Sequence, residues 1–65
     1  MNKKRLLDLI KSYKNNTDVQ VDVFFTNGTM RKLSAMSMTS TCFITDDNTR
    51  IPNALLQKAE IYAIN

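Results

Sequence analysis

Apolar positions recur at helical spacing near the start of the chain and switch, at Val19, to strict alternation. Leu6, Leu9, Ile10 and Tyr13, with Leu7 beside them, share one helix face, whereas Lys3, Lys4, Asp8, Lys11 and Lys14 fall mostly elsewhere. This spacing predicts an amphipathic helix over residues 3–14, opened by Asn2 as its cap and stopped by the poor helix formers Asn15, Asn16 and Thr17. From residue 19 onward Val19, Val21, Val23 and Phe25 lie on one face of a strand and Gln20, Asp22, Phe24 and Thr26 on the other. Asn27-Gly28 ends that strand with a strong hairpin signal, and a two-residue type I′ turn there needs positive φ at both residues.

Beyond the turn the alternation loosens. Residues 29–41 read as one long strand, bent near residues 36–38, in which Met30, Met36 and Met38 serve as core or interface filler. Cys42-Phe43-Ile44-Thr45 reads as a short third strand, closed by the turn residues Asp46-Asp47-Asn48-Thr49. Residues 50–56 form a fourth strand with Pro52 near its start, residues 57–60 a short connection such as a single 3₁₀ turn, and residues 61–64 a fifth strand. A helix over residues 52–60 competes with this reading, because a proline followed by Asn-Ala-Leu-Leu-Gln-Lys-Ala-Glu is also a good helix opening. Local propensity leaves both open.

Size changes the picture. Sixty-five residues predict one domain whose monomeric core is marginal, with the basic helix at 1–16 and the strands at 19–64. A lone Cys42 and the lack of histidine exclude a disulfide or a Cys/His metal site, which leaves self-association as the stabiliser. Cys42, on an apolar strand with no histidine to activate it, reads as a small buried residue, and Asp46-Asp47 lacks the further carboxylates of a metal loop. Neither a cofactor nor catalytic chemistry is indicated. Apolar runs of four or five residues are too short to span a bilayer, and the start of the chain is unlike a signal peptide, so a cytoplasmic protein is expected.

The net charge of +3 is unevenly placed. Residues 1–16 carry Lys3, Lys4, Arg5, Lys11 and Lys14 against Asp8, whereas the remainder carries four basic side chains against five acidic ones. A basic helix on a nearly neutral scaffold suits a polyanion, although a solvated helix face is the commoner meaning of such a run.

One helix followed by five short strands, with Val21-Asp-Val-Phe-Phe-Thr-Asn-Gly28 early and Leu56-Gln-Lys-Ala-Glu-Ile61 late, resembles the Sm-like family and, within it, the Hfq branch of bacterial RNA chaperones. The two stretches resemble the first and second Sm motifs, and the resemblance covers nearly the whole chain. It implies a mainly β fold, an SH3-type five-stranded small barrel with an N-terminal helix. It also implies a homohexameric ring, in which the fourth strand of one subunit pairs with the fifth of the next, and post-transcriptional binding of small RNA or mRNA tails.

The same resemblance assigns residues. Phe24 matches a distal-face aromatic on which purines stack, with Asn27, Gly28 and Met30 beside it. Lys58 matches a pore lysine, with Gln57 next to it and Ser40-Thr41 in the matching pore-face region. Three departures turn the expectation from U-rich toward A-rich RNA: Ala59 stands where a histidine is usual, Gln57 where a tyrosine is usual, and Ser40-Thr41 where a Gln-Phe pair is usual. Rim arginines are replaced by Asn15, Asn16 and Asp18, leaving Lys11 and Lys14, with Lys3, Lys4 and Arg5, as the basic candidates. The alternative function is a protein-interaction adaptor ring that has lost strong RNA binding, and a third reading is an unrelated α+β module with the second helix formed.

Overall fold

The computed structural model describes residues 3–64, so the expected cap Asn2 lies outside the described residues. Helix α1 runs over Lys3–Tyr13, followed by β1 (Val19–Phe25), β2 (Met30–Lys32), a 3₁₀ turn (Leu33–Ala35), β3 (Ser37–Met38), β4 (Cys42–Ile44), β5 (Arg50–Pro52), a second 3₁₀ turn (Asn53–Leu55) and β6 (Leu56–Ala63). The strands form two three-stranded antiparallel sheets, ordered β2-β1-β6 and β3-β4-β5. The molecule is thus a small α+β protein with one N-terminal helix over two sheets.

The alternation in β1 is realised as expected: Val21, Val23 and Phe25 are buried, with Val19 at the margin. Phe43 from the second sheet meets Phe25 edge to face, ring centroids 5.3 Å apart, and this contact ties the sheets together. Helix α1 covers the core with Ile10, assisted by Leu6, Leu7 and Tyr13, whereas Leu9, expected on the apolar face, is exposed. Cys42 is buried as expected, and the hydroxyl of Thr39, 3.3 Å from its Sγ, holds the thiol below its ordinary value.

The expected strand over 29–41 is broken by the turn at Leu33–Ala35. Leu33 and Met36 are both buried, and two residues three apart cannot face the same way on a strand of period two, whereas a 3₁₀ turn aligns them. Met36 N–H donates to the Leu33 carbonyl and closes that turn. Met38 packs beside this core, but Met30 is exposed and takes no part in it.

Neither expectation for residues 52–60 holds in full. The turn falls at Asn53–Leu55, directly after Pro52, so β5 ends earlier and β6 begins earlier than the sequence suggests. No helix forms over 52–60, because residues 56–63 pair along the whole of β1 from Val19↔Ala63 to Phe25↔Leu56, and this long-range pairing overrides local helix propensity. Lys58, expected in a turn, is therefore a strand residue.

The β1–β2 and β4–β5 hairpin loops share one geometry, and it is not type I′. Gly28 N–H donates to the Phe25 carbonyl and Phe25 N–H to the Thr29 carbonyl; Asn48 N–H donates to the Thr45 carbonyl and Thr45 N–H to the Thr49 carbonyl. Each is a three-residue loop with its last residue in the left-handed region, Gly28 at φ 85° and Asn48 at φ 66°, while Asn27 has no positive φ. The middle residue does the same work twice: Asn27 Oδ1 accepts from Thr29 N–H at 3.0 Å and Asp47 Oδ1 from Thr49 N–H at 3.2 Å. The buried Thr45 hydroxyl also donates to Asp47, and that bond, followed by those from Thr49, keeps the Asp47 carboxyl below the usual carboxylate range.

Two predictions follow from these loops. Nothing lies within 4 Å of a Cβ built on Gly28, so Gly28→Ala should cost only the left-handed conformation, about 1–2 kcal/mol; Gly28→Asn should cost less, both read as shifts in urea midpoint. A carboxylate with depressed pKa stabilises above its unfolded pKa, about 3.9, and loses that effect as pH falls through the folded value. Asp47→Ala should therefore be less stable than wild type at pH 7, and the gap in melting temperature should close below about pH 4.

Candidate nucleic-acid interface

A β-bulge sets the site. The β1–β6 register shifts between Phe24 and Phe25, so Gln57 is the extra residue of β6. On one side of it Leu56 opposes Phe25 and is buried; on the other Lys58 opposes Phe24 and is exposed. Residues 56 and 58 would share a face in a regular strand. The bulge sends Lys58 outward instead, onto the face of Phe24.

That outer face is a grid of cross-strand neighbours. Phe24 lies between Met30 of β2 and Lys58 of β6; Asp22 lies between Lys32 and Glu60; Gln20 lies opposite Tyr62. Phe24 is half-buried, Met30 and Tyr62 are exposed, and the Lys58 ammonium sits 4.8 Å from the Phe24 ring centroid, inside cation–π range. Glu60 Oε1 is 3.5 Å from Lys58 Nζ, and Tyr62 donates its hydroxyl to Glu60 Oε2 at 2.6 Å. The Tyr62 hydrogen bond first and Lys58 after it hold the Glu60 carboxyl below its ordinary value; the same bond pushes the Tyr62 hydroxyl up.

The structure thus unites residues that the sequence placed on opposite faces. Phe24, Met30 and Lys58 form one surface, while Gln57 is consumed by the bulge. Asn27 and Gly28 stand at the tip of the adjoining hairpin, where the Asn27 carboxamide is engaged with Thr29 N–H. Arg31 is on the other face of β2 from Met30 and donates to the Met30 carbonyl. Glu60 and Tyr62 went unnoticed in the sequence because their role depends on a register that no local pattern reveals.

Ser40 and Thr41 belong to a different place. They form the β3–β4 loop, and with Lys4, Leu7, Lys11, Met38 and Asn53 the Ser40 end borders a shallow cleft of about 160 Å³ under α1. Asn53 is a further residue the sequence did not single out: its N–H donates to the Thr41 carbonyl and its Nδ2 to the Ser40 carbonyl, while its buried Oδ1 has no partner. Lys3 Nζ donates to the Ala54 carbonyl at 2.6 Å, so this lysine pins α1 to the second 3₁₀ turn. Lys14 lies apart, with Tyr13, Asn16, Gln20, Lys32 and Ser34 on the wall of a larger cleft of about 520 Å³. Arg5 is exposed on α1.

Among the described residues no three His, Cys, Asp or Glu side chains converge to hold a metal ion. No helix among them is long and apolar enough to cross a membrane. Comparison with known proteins finds no matching family model, no matching curated protein and no matching solved structure.

The grid predicts a spectroscopic result. Tyr62→Phe removes the strongest influence on Glu60, so the Glu60 carboxyl should titrate closer to its ordinary value in a carbon-detected NMR titration, with part of the lowering retained through Lys58.

Proposed function

We propose that this chain is a non-enzymatic, RNA-binding protein of Sm-like architecture that assembles into a homo-oligomeric ring and takes A-rich single strands on the outer face of β1. The observation that carries the reading is Phe24, an aromatic held outward on a central strand between Met30 and Lys58. An aromatic so placed stacks a base, and a lysine at its border meets the phosphate. The strand order also supports it. If β2 and β3 are taken as one strand bent at Leu33–Ala35, the chain has five strands in the order β6-β1-β2/β3-β4-β5, the order of an SH3-type barrel.

Assembly is supported by what the subunit leaves open. Both β5 and β6 are edge strands, and β6 carries Ile61 and Tyr62 exposed, with Ile64 just beyond. Edge-to-edge pairing of β5 with a neighbour's β6 would cover unpaired backbone groups and these side chains, and a hexamer is the ring the Sm-like reading implies. The turn that would face the centre of such a ring is Asn53–Leu55, which carries no charge. U-rich RNA at a lysine-lined pore is accordingly the weaker half of the expectation, and A-rich RNA on the Phe24 face the stronger.

A second reading, a protein-interaction adaptor ring, draws on the outer face itself, where Lys32 and Lys58 are matched by Asp22 and Glu60. Light scattering followed by titration with labelled oligo-A and oligo-U at two salt concentrations separates the readings. A ring that prefers oligo-A and binds it more weakly at high salt is the expected result, and a ring that binds neither favours the adaptor. Phe24→Ala should weaken oligo-A binding roughly five- to 150-fold with assembly unchanged, given about 1–3 kcal/mol for each stacked base. A monomer overturns the architecture.

A further inference from the structure

The ring that would stack a base is already covered. Lys58 Nζ lies over Phe24, and a base stacked on that ring needs the space the ammonium occupies. What holds the lysine there is Glu60, two residues along β6 on the same face, which is itself held by Tyr62 a further two residues on. Three side chains of one strand thus form a relay that ends on Phe24.

We propose that Lys58 is a movable lid on the Phe24 surface: Glu60 parks its ammonium over the ring in the free protein, and on binding the ammonium leaves the ring for the phosphate of the nucleotide whose base takes its place. The inference rests on the reading of Phe24 as a base-stacking residue. Three features favour it. The Lys58 side chain is 58% exposed, so little beyond the Phe24 ring itself opposes its movement. Its attraction to an exposed carboxylate at 3.5 Å is weak and readily exchanged for a phosphate contact. The Glu60 carboxylate, ionised at neutral pH and held in place by its Tyr62 partner, opposes the approach of a polyanion to the same spot, so it restrains binding twice over.

Glu60 then sets how readily the surface opens, and Lys58 supplies both the cover and the charge that rewards opening. Glu60→Gln keeps the shape and the Tyr62 contact but frees the lysine. It should bind oligo-A about twofold to fivefold more tightly than wild type. Lys58→Met keeps an apolar chain and removes the charge, so the dependence of log affinity on log salt should become shallower by about 0.7 for each nucleotide engaged.

The experiment is fluorescence-anisotropy titration of labelled oligo-A across a salt series on wild type, Phe24→Ala, Glu60→Gln and Lys58→Met, each checked for native circular dichroism. The Lys58 ε-methylene proton shifts are recorded on the RNA-free proteins. Ring-current shifts of those protons in wild type that collapse in Glu60→Gln, together with the tighter binding and the shallower salt slope, are the expected result. If Phe24→Ala loses affinity while Glu60→Gln binds no more tightly, or Lys58→Met keeps the wild-type slope, the lid is overturned and the stacking surface stands. If wild type binds no oligo-A, or Phe24→Ala binds it as well as wild type does, both are overturned.

Discussion

The pairing of β1 with β6 is the interaction from which the rest of the molecule takes its position. It joins residues more than thirty positions apart along the chain, from Val19↔Ala63 to Phe25↔Leu56. Closing so large a loop is entropically costly, and the return comes only when the pairing is long and its inner face apolar. Val19, Val21, Val23 and Phe25 opposite Ala63, Ile61, Ala59 and Leu56 meet that condition. Once made, the pairing forbids a helix at 56–60 and compresses the connection from β5 into the single turn Asn53–Leu55.

The second sheet is attached through side chains and turns. Phe43 against Phe25 is the central contact, with Leu33, Met36 and Ile51 around it and Ile10 of α1 above. A backbone bond reinforces the junction, Thr26 N–H donating to the Leu55 carbonyl at 2.7 Å, and Asn53 N–H, donating to the Thr41 carbonyl at 2.9 Å, extends the β4–β5 ladder up to it. Lys3, an exposed member of the basic helix, also closes the helix onto the same turn. The scaffold thus flanks β1 with β2 on one edge and β6 on the other and packs its inner face on the core.

How much of this was legible depended on whether the governing interaction was local. Period-two alternation found β1 with its inner face, and the helical spacing found α1, because each pattern reports a face that must be buried. Leu9 misled because Leu7 is just as apolar and only packing chooses between them. The three-residue spacing of Leu33 and Met36, visible in retrospect, was the signal that the long strand must break. Asn27-Gly28 correctly marked a hairpin but not its type, since the glycine alone supplies the positive φ. Phe24 could be picked out by parity, whereas Lys58, Glu60 and Tyr62 could not, because a bulge at Gln57 reverses parity and only the partner strand specifies where it falls.

Strand β6 also bears on how the chain behaves on its own. An eight-residue strand with one open edge, ending in Ile61, Tyr62 and Ala63 and followed by Ile64, has the makings of a cross-β seed. What interrupts it is the pair Lys58 and Glu60 in its middle. Stacked in register on another copy of itself, the strand would bring like charges together twice, and the bulge beside them bends the edge out of flatness. The residues that dress the outer face are in this sense also gatekeepers, which disfavour uncontrolled growth of the sheet from its exposed side.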